Sequence, residues 1–177
     1  MPRVIETDRL LLRPWVEADA VLYRDLWSER DPRSLRVIDA VGRPTVEDLR
    51  EKIRTELTEP DPTGLRLLVI ERRAEKDFIG YCGLIHRDMT PEEPEIAYEL
   101  LRRAHGCGYA TEAAGAVRDA GRELGRSRLW AGVRSWNTAS FRVLDKIGFT
   151  ASGLVNEDPD YGNMVWMTCD LRPTASS

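Results

Sequence analysis

Two hydrophobic rhythms alternate along the chain, one near 3.6 residues and one of two, and the switches between them divide it into elements. "DRLLLRP" (8–14) has strand character and is stopped by Pro14. Over 16–32 the apolar residues Ala18, Leu22 and Leu26 recur at helical spacing, and Pro32 closes the segment. Residues 31–44 read as loop. Thr45 opens a second helix with the stripe Val46, Leu49, Ile53 and Leu57, ended by "EPDPTG". "LRLLVIER" (65–72) and "FIGYCGLIHR" (78–87) then read as a hairpin joined by a charged turn, and "EIAYEL" (95–100) as the next strand. After Gly108 a helix carries Ala110, Ala113, Ala114, Val117 and Leu124 on one side, a small-residue face suited to close packing on a sheet. A strand at 127–134 follows. A helix over 137–148 starts at Asn137, a strong N-cap residue, and closes at Gly148. Residues 149–155 and 164–171 form the last two strands, and 172–177 read as a loose tail.

The order β-α-α-β-β-β-α-β-α-β-β predicts an α/β fold of the α+β mixed kind. One central mixed sheet of about seven strands would carry helices on both faces. At 177 residues, a single domain over 1–177 is expected. A net charge of −4 gives no electrostatic footprint for nucleic acid. No apolar run is long enough for a signal peptide or a membrane helix, so neither membrane nor nucleic acid is an expected partner. Three widely spaced cysteines point to a reducing compartment, hence a cytoplasmic protein. Two histidines and no Cys-x-x-Cys predict no metal site.

The chemistry concentrates in "EIAYELLRRAHGCGYATEA" (95–113), where Gly106 and Gly108 stand at the entrance of a helix. Amides at a helix start are unpaired and carry the positive end of the helix dipole, and glycines let a phosphate approach them. The same pair also suits a tight strand–helix connection with no ligand. A P-loop is excluded because no Gly-Lys-Ser/Thr follows. A dinucleotide fingerprint would want a third glycine where Thr111 sits.

Three stretches in order carry a family resemblance. "RAHGCG" matches the Arg/Gln-x-x-Gly-x-Gly/Ala pattern of the GNAT (GCN5-related) N-acetyltransferases. "NTASFRVLDKIGF" matches their second signature, and "IETDRLLLRPW" resembles the opening strand of the branch of ribosomal-protein alanine N-terminal acetyltransferases. The resemblance implies a GNAT fold with a mostly antiparallel sheet. It also implies acetyl-CoA as co-substrate and direct transfer of acetyl to a primary amine, above all a peptide or protein N-terminal α-amine. By motif position, Tyr98, Glu99 and Leu100 would offer backbone groups to the pantetheine arm. Arg103 and the amides of Gly106, Cys107, Gly108, Tyr109, Ala110 and Thr111 would hold the pyrophosphate, and Asn137 would lie near the cofactor while capping its helix. Such an amide can also serve the thioester carbonyl as an oxyanion donor.

Many relatives use a tyrosine late in the second-signature helix to protonate the leaving thiolate. Here that position is Leu144, and Ser140 matches a serine used in the ribosomal-protein branch. Ser140 also fits the first helical turn with no other task. The implied bases are Glu95 and Glu157, with Asp158 beside the latter. The acidic segments "EEPE" and "NEDPD" favour cationic amines. Trp136 and Tyr161 are candidates for an acceptor groove. Family members are often dimers, so a homodimer is implied. A small-amine acetyltransferase and a non-catalytic acyl-CoA-binding module are the rival readings.

Overall fold

The structure, a computed structural model, describes residues 1–59 and 62–172. The expected tail therefore lies outside the described residues from 173 onward. Two short strands open the chain, β1 (Ile5–Glu6) and β2 (Leu10–Arg13). Helices α1 (Ala20–Ser28) and α2 (Val46–Thr58) follow, then strands β3 (Leu67–Arg72), β4 (Asp77–Ile85) and β5 (Glu95–Leu100). The second half comprises α3 (Tyr109–Glu123), β6 (Arg128–Arg134), α4 (Thr138–Lys146), β7 (Thr150–Asn156) and β8 (Met164–Asp170).

All eight strands lie in one sheet in the order β1-β2-β3-β4-β5-β6-β8-β7. The strand beyond the expected seven is β1, which pairs Ile5 with Leu12; two residues carry no period to read. Alternating strand residues face opposite helix layers. Val69 and Phe78 pack with Trp15, Tyr23, Leu26, Leu49 and Ile53 under α1 and α2. Leu68, Ile70 and Ile79 pack with Ala113, Ala114, Val117 and Leu144 under α3 and α4.

Three predicted helix faces shift. Residues Glu17–Asp19 form a 3-10 turn, so α1 starts after Ala18, which is exposed; its buried face is Ala20, Tyr23 and Leu26, with Leu22 half-buried. The buried face of α2 stops at Ile53, and Leu57 is 48 % exposed. Helix α3 ends at Glu123, which puts Leu124 at the C-cap in solvent, while Ala120 and Gly121 complete the face. The capping predictions match local geometry. The Thr45 side chain accepts from the Asp48 amide, and the Asn137 side chain accepts from the Ser140 amide.

The feature that positions the site is the junction of β5 and β6, the one parallel pair of neighbours among the described strands. Their register holds a single pair, Glu95 with Trp130, beyond which the two strands part. On its other edge β5 stays zipped to β4 from Glu95–Ile85 to Leu100–Gly80. A wedge therefore opens along the second half of β5.

Candidate active site

A cavity of about 580 Å³ fills this wedge. Its walls are the second half of β5, the 105–111 loop leading into α3, the first turns and one face of α4, and the end of α1 with the loop behind it. Of the residues expected at the site, Tyr98, Glu99, Leu100, Gly106, Gly108, Tyr109, Ala110, Thr111, Asn137 and Ser140 all line it.

Backbone parity decides what β5 offers. Leu101 N–H donates to the Ile79 carbonyl at 2.9 Å, and Tyr81 pairs with Glu99. In an antiparallel ladder the residues bonded to one neighbour alternate with those facing away. The N–H and C=O of Tyr98 and Leu100 thus turn from β4 toward the wedge, with the Leu100 carbonyl accepting from His105 Nε2 at 2.9 Å. Glu99 has the opposite parity. It contributes a side chain, not backbone, which corrects the expectation for that residue.

The Glu99 carboxylate is fully engaged. Arg30 Nε donates to it at 2.6 Å and Nη2 to its other oxygen, and the Tyr81 hydroxyl donates at 2.9 Å. The Arg30 guanidinium lies 3.8 Å over the Trp27 ring. Burial, followed by the Glu99 charge, pushes the Tyr81 phenol well up, so it stays a neutral donor. On the opposite face of β5, burial pushes the Tyr98 phenol up, and its hydroxyl donates to the Ser140 carbonyl at 3.2 Å.

Gly106 and Gly108 have φ of 76° and 80°, the left-handed region open to glycine. Gly108 is the N-cap of α3, and no side chain caps that end, so the first amides of the helix are left for a ligand. Arg142 and Lys146 on α4 face the same space. Amides at a helix start, glycine access and two cations suit the pyrophosphate of acetyl-CoA, while the wedge along Tyr98 and Leu100 suits an extended arm.

Four expected residues lie elsewhere. Arg103 turns to the far side, where Nη1 pairs with Asp77 and Nη2 donates to the Phe78 carbonyl. Its neighbour Arg102 lines the cavity instead, donating to the Glu29 carbonyl from Nε at 3.1 Å and Nη2 at 2.7 Å. One step around the 3-10 turn Arg102–Ala104 exchanges the two arginines. Cys107 is exposed and outside the cavity lining. Glu95 is buried at the root of the wedge, where it accepts from the Asp88 amide at 2.7 Å, and burial pushes its carboxyl up. It braces the 88–94 turn and does not reach the cavity. Glu157 is exposed in the β7–β8 connection, away from the cavity. Beside it, Asp158 is tied to Arg134 at 2.7 Å, which with backbone donors holds its carboxyl below the usual range.

Trp136 lines the cavity, with the Arg33 guanidinium 4.4 Å over its ring, whereas Tyr161 lies outside the lining and its carbonyl accepts from Trp136 Nε1 at 2.8 Å. Sequence reasoning missed Arg30, Arg142 and Lys146. The last two were traceable: Ala139, Arg142, Val143 and Lys146 repeat at three and four residues and share one helix face.

Comparison with known proteins fixes the class. Residues 9–150 match the Acetyltransferase (GNAT) domain model, and the chain belongs to this family. The uncharacterized N-acetyltransferase YoaA of Bacillus subtilis (strain 168) is 31% identical over 159 residues, covering 87% of this chain and 86% of its own. A ribosomal alpha-N-protein acetyltransferase, RimL, solved in complex with coenzyme A, shares the fold with a TM-score of 0.76 at 16% identity, covering 94% of this chain and 97% of its own. So does a chimera of the Vibrio cholerae spermidine N-acetyltransferase SpeG and hSSAT, with a TM-score of 0.72 at 17% identity over 92% and 95% of the two chains. The protein is an acetyl-CoA-dependent N-acetyltransferase. Among the described residues, no helix is long and apolar enough to cross a membrane, and no three or more His, Cys, Asp or Glu side chains are grouped so as to hold a metal ion.

Proposed function

We propose that the whole chain works as one transferase domain that moves acetyl from acetyl-CoA to the α-amine of a peptide or protein N-terminus. The observation that carries this reading is that, among the described residues, each carboxylate lining the cavity already accepts a hydrogen bond. Glu99 is held by Arg30 and Tyr81. Glu29 accepts from the Arg102 amide at 2.6 Å. Asp31 pairs with Arg33 at 2.7 Å, and those hydrogen bonds push its carboxyl down to about 2. With none of these three carboxylates unengaged, an acceptor already partly neutral at pH 7 is favoured. An α-amine with pKa about 7.7–8.0 is roughly a tenth neutral at pH 7, whereas a lysine-like amine near 10.4 is neutral less than ~0.1 % of the time.

In this reading the thioester supplies the activated acetyl group. The amides of Gly106 and of Gly108 to Thr111, with Arg142 and Lys146, hold the pyrophosphate. Tyr98 and Leu100 orient the arm through their backbone, and Asn137 fixes the first turn of α4. The Ser140 hydroxyl donates a hydrogen bond to the leaving thiolate, and the proton lost by the amine passes through solvent to that thiolate, so Ser140 ends the step protonated.

The test is a parallel assay at pH 7 of short N-terminal peptides without lysine, N-blocked lysine peptides, spermidine and an aminoglycoside, read by mass spectrometry. The expected product is N-terminally acetylated peptide. Acetylation of lysine, spermidine or the aminoglycoside with none on N-terminal peptides would overturn the assignment.

A further inference from the structure

Thr7 and Arg9, from the opening stretch "IETDRLLLRPW", lie outside the cavity lining, yet Arg9 reaches the glycine loop from behind and both reach Glu112 in the first turn of α3. Arg9 Nη1 donates to the Cys107 carbonyl at 2.9 Å. Its Nε donates to Glu112 Oε2 at 2.6 Å, and its backbone N–H donates to Glu112 Oε1 at 3.0 Å. The Thr7 hydroxyl donates to the same Oε1 at 2.6 Å. The guanidinium lies 4.6 Å over the Tyr109 ring, and a Cβ built on Gly108 would meet Arg9 Nη2 at 3.5 Å. Residues on either side of the loop are thus tied to the lead-in of β2, which itself is locked in the sheet by pairing with β3.

The consequence follows from peptide geometry. The unit joining Cys107 to Gly108 is planar and trans, so its C=O and N–H point in opposite directions. Arg9 holds the C=O on its own side. The N–H of Gly108 then points the other way, toward the cavity that Gly108 lines and Cys107 does not. Glycines on both sides of Cys107, each with positive φ, leave this peptide little intrinsic preference for one orientation. Arg9 also neutralises Glu112, a carboxylate in the first turn of α3 that would otherwise repel a phosphate there.

We propose that Arg9 is a positioning residue for the co-substrate: it locks the Cys107–Gly108 peptide so that the loop presents its N–H to the pyrophosphate. The inference rests on the reading of residues 106–111 as the pyrophosphate cradle. Its effect belongs to the nucleotide half of acetyl-CoA and not to the arm.

Calorimetric titration of wild type and Arg9→Ala with acetyl-CoA and with S-acetylpantetheine, which lacks the pyrophosphate, tests both. Wild type should bind acetyl-CoA far more tightly. Arg9→Ala should weaken acetyl-CoA by about tenfold, the scale of one lost fixed contact, and leave S-acetylpantetheine within about twofold. In turnover the loss should appear as a raised KM for acetyl-CoA, with kcat much less affected. Arg9→Lys keeps the cation beside Glu112 but replaces the fork by one ammonium; it should lie between the two and serves if the alanine variant does not fold. An unchanged acetyl-CoA affinity, or equal weakening of both ligands, would overturn the role of Arg9. A wild type that gains nothing from the pyrophosphate would overturn the cradle reading and this inference with it.

Discussion

Gly80→Ala is expected to be among the most damaging single substitutions in the protein. Gly80 lies where β4 carries one residue more than β3: Ile70 pairs with Gly80 and Glu71 with Phe78, leaving Ile79 as a bulge. A Cβ at Gly80 would sit 2.1 Å from the Glu99 carbonyl oxygen and 2.8 Å from Leu100 Cα. Both are backbone atoms of β5 and cannot swing aside. Its φ of 150° adds strain for any L side chain. Overpacking of this kind typically costs about 1–3 kcal/mol, and backbone contacts place Gly80 at the upper end. Thermal unfolding should show Tm falling by roughly 5–10 °C. The displaced segment is the wall along which the acyl arm would run, so acetyl-CoA affinity should fall too. A variant that melts within a degree or so of wild type would show that β4 and β5 are not packed this closely.

Ser140→Ala is expected to act on turnover and leave binding alone. Ser140 lines the cavity in the first turn of α4, and its amide donates to Asn137 Oδ1 at 3.2 Å. Alanine keeps that backbone bond and is a good helix former, so the fold should persist. The leaving thiolate is only moderately basic, about 8.5 by analogy with cysteine. A hydroxyl positioned beside it can supply a proton or a strong hydrogen bond, an effect typically worth about a hundredfold or more. The expected result is therefore a drop of kcat by about a hundredfold, with acetyl-CoA affinity within about twofold of wild type. Unchanged turnover would leave Ser140 as a first-turn residue and no more.

The contrast between what could and could not be read beforehand has physical causes. Helices and caps are local: the Thr45 and Asn137 caps depend on residues three apart, and both stand where their side chains required. The two glycines before α3 were legible for the same reason. The parting of β5 and β6 was not, because strand pairing joins segments more than thirty residues apart and leaves no mark on either. Glu99 shows how register overrides motif. The motif offered its backbone, but pairing with Tyr81 turns that backbone to β4 and leaves the carboxylate to meet Arg30, sixty-nine residues away. Arg103 and Arg102 exchange roles through one step of a 3-10 turn, finer than any periodicity can resolve. Glu95 read as a solvated turn or a base; the fold buries it as a brace for the backbone of Asp88. Arg142 and Lys146 were visible as a helix face, but a cationic stripe usually means only solvent.

The most direct measurement is thermal unfolding of the purified protein with acetyl-CoA, CoA and NADH in parallel. At a hundredfold excess over Kd, binding adds about 2.7 kcal/mol, which for a chain of this size raises Tm by roughly 5–10 °C. A cradle built for the pyrophosphate and arm of CoA predicts that rise with acetyl-CoA and with CoA, and none with NADH. No rise with acetyl-CoA or CoA at millimolar concentration, or an equal rise with NADH, would contradict it.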